Sequence, residues 1–226
     1  MPKGIARQNI AGRASIARKP IASVYATQSE QTAASPQMFT PGSYTFTPTV
    51  SGWWKFVLWG GGARPTTGYG GGSGAYCEIT KFITTGQTAA LVAGRGAASG
   101  GAAQNSTVTF LDGTVVTAGA AVNEIGGTAT GGDVNLNGST GGVDGPGGAS
   151  GANGLGTGGG AGGLFTPNSG GGAGAPANLP FRGGVGGSAG SPHYGGGTPG
   201  GGAVSTTYGS QVPAGDGLII AMLARS

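Results

Sequence analysis

The sequence predicts an all-β protein: a small β-sandwich or sheet body carrying inserted glycine-rich segments, packed together as polyproline-II-type helices. Three observations lead there. Glycine supplies 55 of the 226 residues, about three times its usual share. The larger apolar residues gather in short runs that alternate with period two, the spacing of strands. Charged residues make up only 8%, against about a quarter in an ordinary domain. Many of the hydrophobic residues are alanines that bury little area, so glycine itself must be structural.

Residues 1–35 form the first region. Lys3, Arg7, Arg13, Arg18 and Lys19 lie here with no acid before Glu30, while the rest of the chain is close to neutral. Ile5, Ile10, Ile16 and Ile21 recur every five or six residues, matching neither helix nor strand, and Gly12 and Pro20 oppose one long helix. An extended basic arm docking on a larger assembly is the expectation. A solvated tail and a nucleic-acid contact are the alternatives. The absence of aromatic residues before Tyr25 weighs against the last, so no stable nucleic-acid partner is expected.

Residues 36–125 read as the β body. Tyr44–Thr47 alternates large and small residues between Pro41-Gly42 and Pro48. Trp53–Trp59 is the densest apolar stretch, placing Trp53, Lys55, Val57 and Trp59 on one face and Trp54, Phe56 and Leu58 on the other. A strand apolar on both faces belongs in a covered position. Core packing is expected for the three tryptophans, with a ligand platform as the alternative. Further strands are predicted at Ala75–Phe82, Thr88–Ala93, Ser106–Leu111 and Thr114–Thr117, with Asp112-Gly113 as a two-residue hairpin turn.

Residues 126–202 hold glycine at 33 of 77 positions. Local three-residue spacing runs through Gly142, Gly145, Gly148, Gly151 and Gly154, too briefly for a collagen triple helix. The stretch is long for a routine loop, nearly uncharged, and punctuated by apolar residues, all of which oppose a linker. Side-by-side polyproline-II helices answer this pattern: with no side chain on the inward face, backbones approach closely enough to satisfy each other's polar groups. Exposed tips are then expected at Leu164–Asn168, Leu179–Arg182 and Pro192–Tyr194. In residues 203–226, the apolar run Leu218–Leu223 follows a turn at Pro213–Gly217. It predicts a closing strand that returns the chain to the sheet and pins the glycine-rich insertion at both ends.

The chemistry of catalysis is not legible. One histidine (His193) and one cysteine (Cys77) supply neither a usual metal site nor a disulfide. The seven acids contain no close pair. Gly70–Ala75 fits a dinucleotide-loop pattern formally but feeds a strand rather than a helix. No cofactor, metal or catalytic residue is assigned, and the protein is read as a non-enzyme. No apolar run is long enough to span a bilayer, and the charged N-terminal stretch lacks the apolar segment of a secretory signal.

Several strings, in order, carry a family resemblance: Phe39–Thr47, Trp59-Gly60-Gly61-Gly62, Gly70–Tyr76, Leu91–Gly96 and Gly215–Ile220. Over residues 38–223 the chain resembles the glycine-rich domains of bacteriophage tail-fibre and receptor-binding proteins, including tip adhesins. That resemblance implies a virion-surface protein, made in the host cytoplasm, whose loops between glycine runs contact a host outer-membrane protein or surface glycan. It assigns receptor contact to Phe165, Asn168, Phe181, Arg182, His193 and Tyr194. Attachment to other virion structural proteins falls to residues 1–35, through Lys3, Arg7, Arg13, Arg18 and Lys19. The alternative is a structural or decoration protein, such as a capsid spike, without receptor binding. A homotrimer suits a fibre, a single copy a tip adhesin, and a fivefold position a spike.

Overall fold

A computed structural model describes residues 36–64, 70–98, 102–141, 199–201 and 214–224. They form ten strands: β1 (Gln37–Phe39), β2 (Gly42–Phe46), β3 (Gly52–Trp59), β4 (Tyr76–Ile83), β5 (Ala89–Ala93), β6 (Ser106–Phe110), β7 (Val115–Ala118), β8 (Ala129–Thr130), β9 (Val134–Leu136) and β10 (Leu218–Leu223). Two antiparallel five-stranded sheets result, ordered β1-β10-β3-β4-β9 and β2-β5-β6-β7-β8. One buried cluster draws on both sheets, so they stack face to face as a sandwich. The all-β expectation holds, and no α-helix occurs among the described residues.

The alternation in β3 explains why this strand is central. Trp54, Phe56 and Leu58 point into the sandwich and are fully buried. Phe56 meets Phe46 and Phe110 edge to face, with ring centroids 5.2 and 5.4 Å away, so one ring ties β3 to two strands of the opposite sheet. Val57 and Trp59 face outward, yet they are buried with Tyr76, Leu218 and Ile220 in a second cluster. On the same face, Glu78 pairs with Lys55 at 2.5 Å and accepts a hydrogen bond from the Tyr76 hydroxyl. Burial, aided by that bond, holds the Tyr76 hydroxyl well above its usual pKa.

Trp53 departs from the expectation of core packing. It is 56% exposed and leans edge-on against Phe82, itself 50% exposed, at 5.6 Å. The register explains this: Trp53 and Phe82 are directly opposed at the far end of the outer face, beyond the buried cluster.

Three short strands were not predicted. β1 lies at a sheet edge beside β10, and β8 and β9 fall inside the stretch assigned to packed glycine helices. Strands of two or three residues carry too few side chains for an alternation to register. The β6–β7 connection also differs from the two-residue turn. Phe110 donates to the Thr114 carbonyl at 2.9 Å, which leaves Leu111, Asp112 and Gly113 as a three-residue loop. Gly113 takes the left-handed position at φ 84°, and the Asp112 carboxylate accepts the Thr114 N–H at 3.0 Å. Most of the insertion expected to pack as glycine helices, residues 142–198, lies outside the described residues.

The registers give the sandwich two unlike poles. Trp59 opposes Tyr76 and Leu218 at one pole; Gly52 opposes Ile83, and Trp54 opposes Leu223, toward the other. The short connections 47–51, 84–88 and 111–114 sit at the second pole, with residue 36 leading toward it and residue 224 reaching it; 131–133 crosses between the sheets at their edge beside Glu78 and Thr80, and the two-residue link 40–41 lies toward the first pole. Connections 60–75, 94–105, 119–128 and 137–217 all leave from the first. These are the glycine-rich ones.

Truncating Phe56 to alanine removes the ring that joins the sheets and leaves a cavity. Denaturant unfolding of Phe56→Ala is expected to show a loss of about 3–5 kcal/mol. Trp53→Ala, at an exposed end, is expected to cost far less.

Candidate functional site: the glycine-rich pole

At the glycine-rich pole, extended segments pair through their backbones outside either sheet. The donors follow a three-residue rhythm. Gly60 and Ala63 both donate to one neighbouring segment, at Ala75 and Gly72 (2.9 Å each); Gly61 donates to Gln104 (3.1 Å) and Gly62 to Gly215 (2.9 Å). Gly72 and Ala75 donate to Asn123 and Gly119 (2.8 Å each), while Ser73 reaches Ser139 and Gly74 reaches Gly200 (2.9 Å each). Ala214 and Gly217 return to Ala97 (3.1 Å) and Gly94 (3.0 Å), with Gly215 on Gly201 (2.8 Å). Residues three apart thus meet the same neighbour, and those between them meet others.

Such approach leaves no room for side chains on the shared faces. A Cβ on Gly74 would lie inside the Gly60 carbonyl, and a Cβ on Gly60 inside the Gly119 carbonyl. The few side chains present serve the backbone. Ser106 Oγ accepts the Gly94 N–H at 2.9 Å and donates to the Trp59 carbonyl at 2.6 Å, joining the two sheets where they enter the pole. Ser73 Oγ accepts the Ser139 N–H at 2.7 Å, and the Asp216 carboxylate accepts the Gly96 N–H at 2.9 Å.

One bulky turn rises from this network. Val122 and Ile125 exchange backbone hydrogen bonds of 3.0 and 2.9 Å across Asn123 and Glu124, and Asn123 adopts φ 51°. The Gly72 and Gly141 N–H groups hold the Asn123 and Glu124 carbonyls from behind, at 2.8 Å each. The side chains of Val122 and Ile125 remain 66% and 62% exposed. Beside the turn lies a cleft of about 110 Å3, lined by Ala63, Ala97, Ala102, Ala103 and Ala121, with Arg64, Val122 and Asn123 completing the wall. Sequence reasoning missed this tip. The signal was present, since Ala-Val-Asn-Glu-Ile stands between small residues, but a boundary drawn at residue 126 assigned it to the β body.

The predicted receptor contacts Phe165, Asn168, Phe181, Arg182, His193 and Tyr194 lie outside the described residues, as do Lys3, Arg7, Arg13, Arg18 and Lys19 of the arm. Cys77 is a buried residue of β4, and burial pushes its thiol up to about 11, against a nucleophilic role. No group of histidine, cysteine, aspartate and glutamate side chains that could hold a metal ion occurs among the described residues.

The opposite pole has a different chemistry. Lys81 joins Asp112 at 2.5 Å and Thr114 at 2.7 Å while lying 4.7 Å above the Phe110 ring. Its hydrogen bond holds the Asp112 carboxyl down at about 2. Exposed Phe82 and Leu111 border a cleft of about 100 Å3 here.

No known family model matches the chain, and no curated protein matches it.

Two measurements check this architecture. Gly74→Ala forces a methyl into backbone, so thermal unfolding is expected to show a loss of about 3 kcal/mol or more. Gly86→Ala has open space and meets only its left-handed φ of 90°, so about 1 kcal/mol is expected there. Cys77 is expected to resist iodoacetamide at pH 8 in the folded protein and to react fully once the chain is denatured.

Proposed function

We propose that this is a virion-surface or tail-fibre protein that attaches through residues 1–35 and binds a host-cell receptor with its glycine-rich pole. The observation that carries the reading is the separation of the two poles. All the long glycine-rich connections leave one end of the sandwich, and residue 36 leads toward the other. An arm leaving from one end directs the opposite end outward. The exposed Trp53–Phe82 pair toward the arm's end is suited to burial against an assembly. A pole built from backbone-paired glycine is a rigid base on which a few bulky residues can be displayed.

In this reading the glycine segments run as polyproline-II-type helices packed side by side, and the insertion at 142–198 extends the same packing. Support comes from the three-residue rhythm of the backbone donors, which equals the three-residue turn of that helix. The resemblance of residues 38–223 to phage adhesin domains points the same way. The reading is of a binding pole: the Ser73, Ser106 and Asp216 side chains there accept hydrogen bonds from backbone N–H groups.

The deciding experiment uses the labelled full-length chain and cells of a susceptible bacterium. Saturable binding that competes with virus adsorption is the expected result. A folded chain that does not bind, although it incorporates into particles, would instead identify a decoration protein.

A further inference from the structure

We infer that residues 16–25 of the chain's own arm dock on the exposed apolar patch of the second pole, formed by Trp53, Phe82 and Leu111. The inference rests on the attachment half of the reading above and names the surface that orients the arm. The outer face of the first sheet changes character along β3. Val57 and its neighbour Ile220 are buried, whereas Trp53 and Phe82, nearer the second pole, are half exposed and lean on each other. Leu111 is 72% exposed and borders the same cleft as Phe82. The charged groups beside them, Lys81 and Asp112, already satisfy one another. Three large apolar side chains are thus bare at the pole toward which residue 36 leads.

Size, reach and tethering select the occupant. Together the three side chains expose on the order of 300 Å2. A stable contact between folded proteins buries about 800 Å2 on each side, so this patch alone would not hold a second copy of the chain. A short apolar segment is enough to cover it. The register of β1 brings residue 36 level with Met222, which opposes Lys55. At the spacings of a sheet, Trp53 and Phe82 lie roughly 12 and 16 Å from that point. Ile21 stands fifteen residues before residue 36, a length of chain that spans up to about 50 Å. Ile16, Ile21, Val24 and Tyr25 therefore all come within reach. Being tethered, they meet the patch at an effective concentration of about millimolar, so a weak apolar contact suffices where a free partner would need a strong one. Lys3, Arg7 and Arg13 precede the docked stretch and are left for the assembly.

The test places a photo-crosslinker in the full-length chain, as Phe82→p-benzoylphenylalanine, and maps the products by mass spectrometry after irradiation in dilute solution. The expected main product is monomer-sized and joins position 82 to residues 16–25. Adding Ile16→Asp and Ile21→Asp is expected to lower its yield about tenfold, the effect of losing buried aliphatic contacts. Val122→p-benzoylphenylalanine, at the opposite pole, is expected not to capture the arm. Capture of the arm equally from both poles, or from neither, overturns the inference. An arm captured in a dimer-sized product overturns the choice of the chain's own arm. A second readout needs no crosslinker. Trp54 and Trp59 are fully buried, so Trp53 dominates quenching of tryptophan fluorescence by acrylamide. The Ile16→Asp, Ile21→Asp variant is expected to be quenched more strongly than the parent, and equal quenching also overturns the inference. Neither readout involves a particle or a cell. A chain without the contact that still incorporates into particles leaves the attachment reading standing, and a chain with the contact that does not incorporate overturns that reading alone.

Discussion

Where backbone lies against backbone, no side chain can stand between. At the glycine-rich pole the chain leaves both sheets, and its buried N–H and C=O groups must still find partners. They find them on neighbouring segments that approach until a Cβ on Gly74 would overlap the Gly60 carbonyl, and one on Gly60 the Gly119 carbonyl. Three segments, 60–64, 70–75 and 119–121, are locked in one chain of exclusions. A substitution in any of them is felt by the others. Glycine is destabilising in regular elements because it surrenders so much freedom on folding, so its density here is tolerable only because each ordered residue gains backbone bonds.

The sandwich depends on that network as much as it supports it. β3, β5 and β10 run directly into it through Gly60, Gly94 and Gly217. Ser106 bonds to both Gly94 and Trp59, so the ends of the two sheets share one buried hydroxyl. Gly200 donates to the Asp216 carbonyl at 2.7 Å while the Asp216 side chain holds Gly96. The closing strand β10 is therefore anchored by backbone bonds immediately before its first buried side chain. This is how a chain poor in large apolar residues still builds a central strand, β10, whose first four residues are buried.

How much of this was legible in the sequence followed the size of the side chains. Trp53–Trp59, Tyr76–Ile83 and Leu218–Leu223 carry alternating or continuous bulk, and their strands and faces were readable to within a residue or two. β8 and β9, two and three residues long, are placed by their partners Ala118 and Tyr76 rather than by their own pattern. Leu111 belongs to a strand by composition but to the loop by geometry, because Gly113 supplies the left-handed residue one place later than a two-residue turn needs. Trp53 looked like core because its neighbours are core, and only the register shows it beyond the covered part of the sheet. The glycines were recognisable as structural from their number, but not the segments they join. The network includes 60–64, 70–75 and 94–97, which strand reasoning had treated as loops of the β body.

That last difference changes where specificity is sought. A backbone network has almost no chemical identity, since every segment presents the same amides. Any chemical distinction on this surface must come from side chains that leave the network without disturbing it. A residue can do so only where it points away from the shared faces, as Val122 and Ile125 do at a turn whose amides are already bonded from behind. The same condition explains why alanine lines the adjoining cleft: a methyl group fits beside packed backbones, and anything larger would have to point outward. Rigidity and display thus fall to different residues at one pole, glycine supplying the backbone network and Val122 and Ile125 standing clear of it.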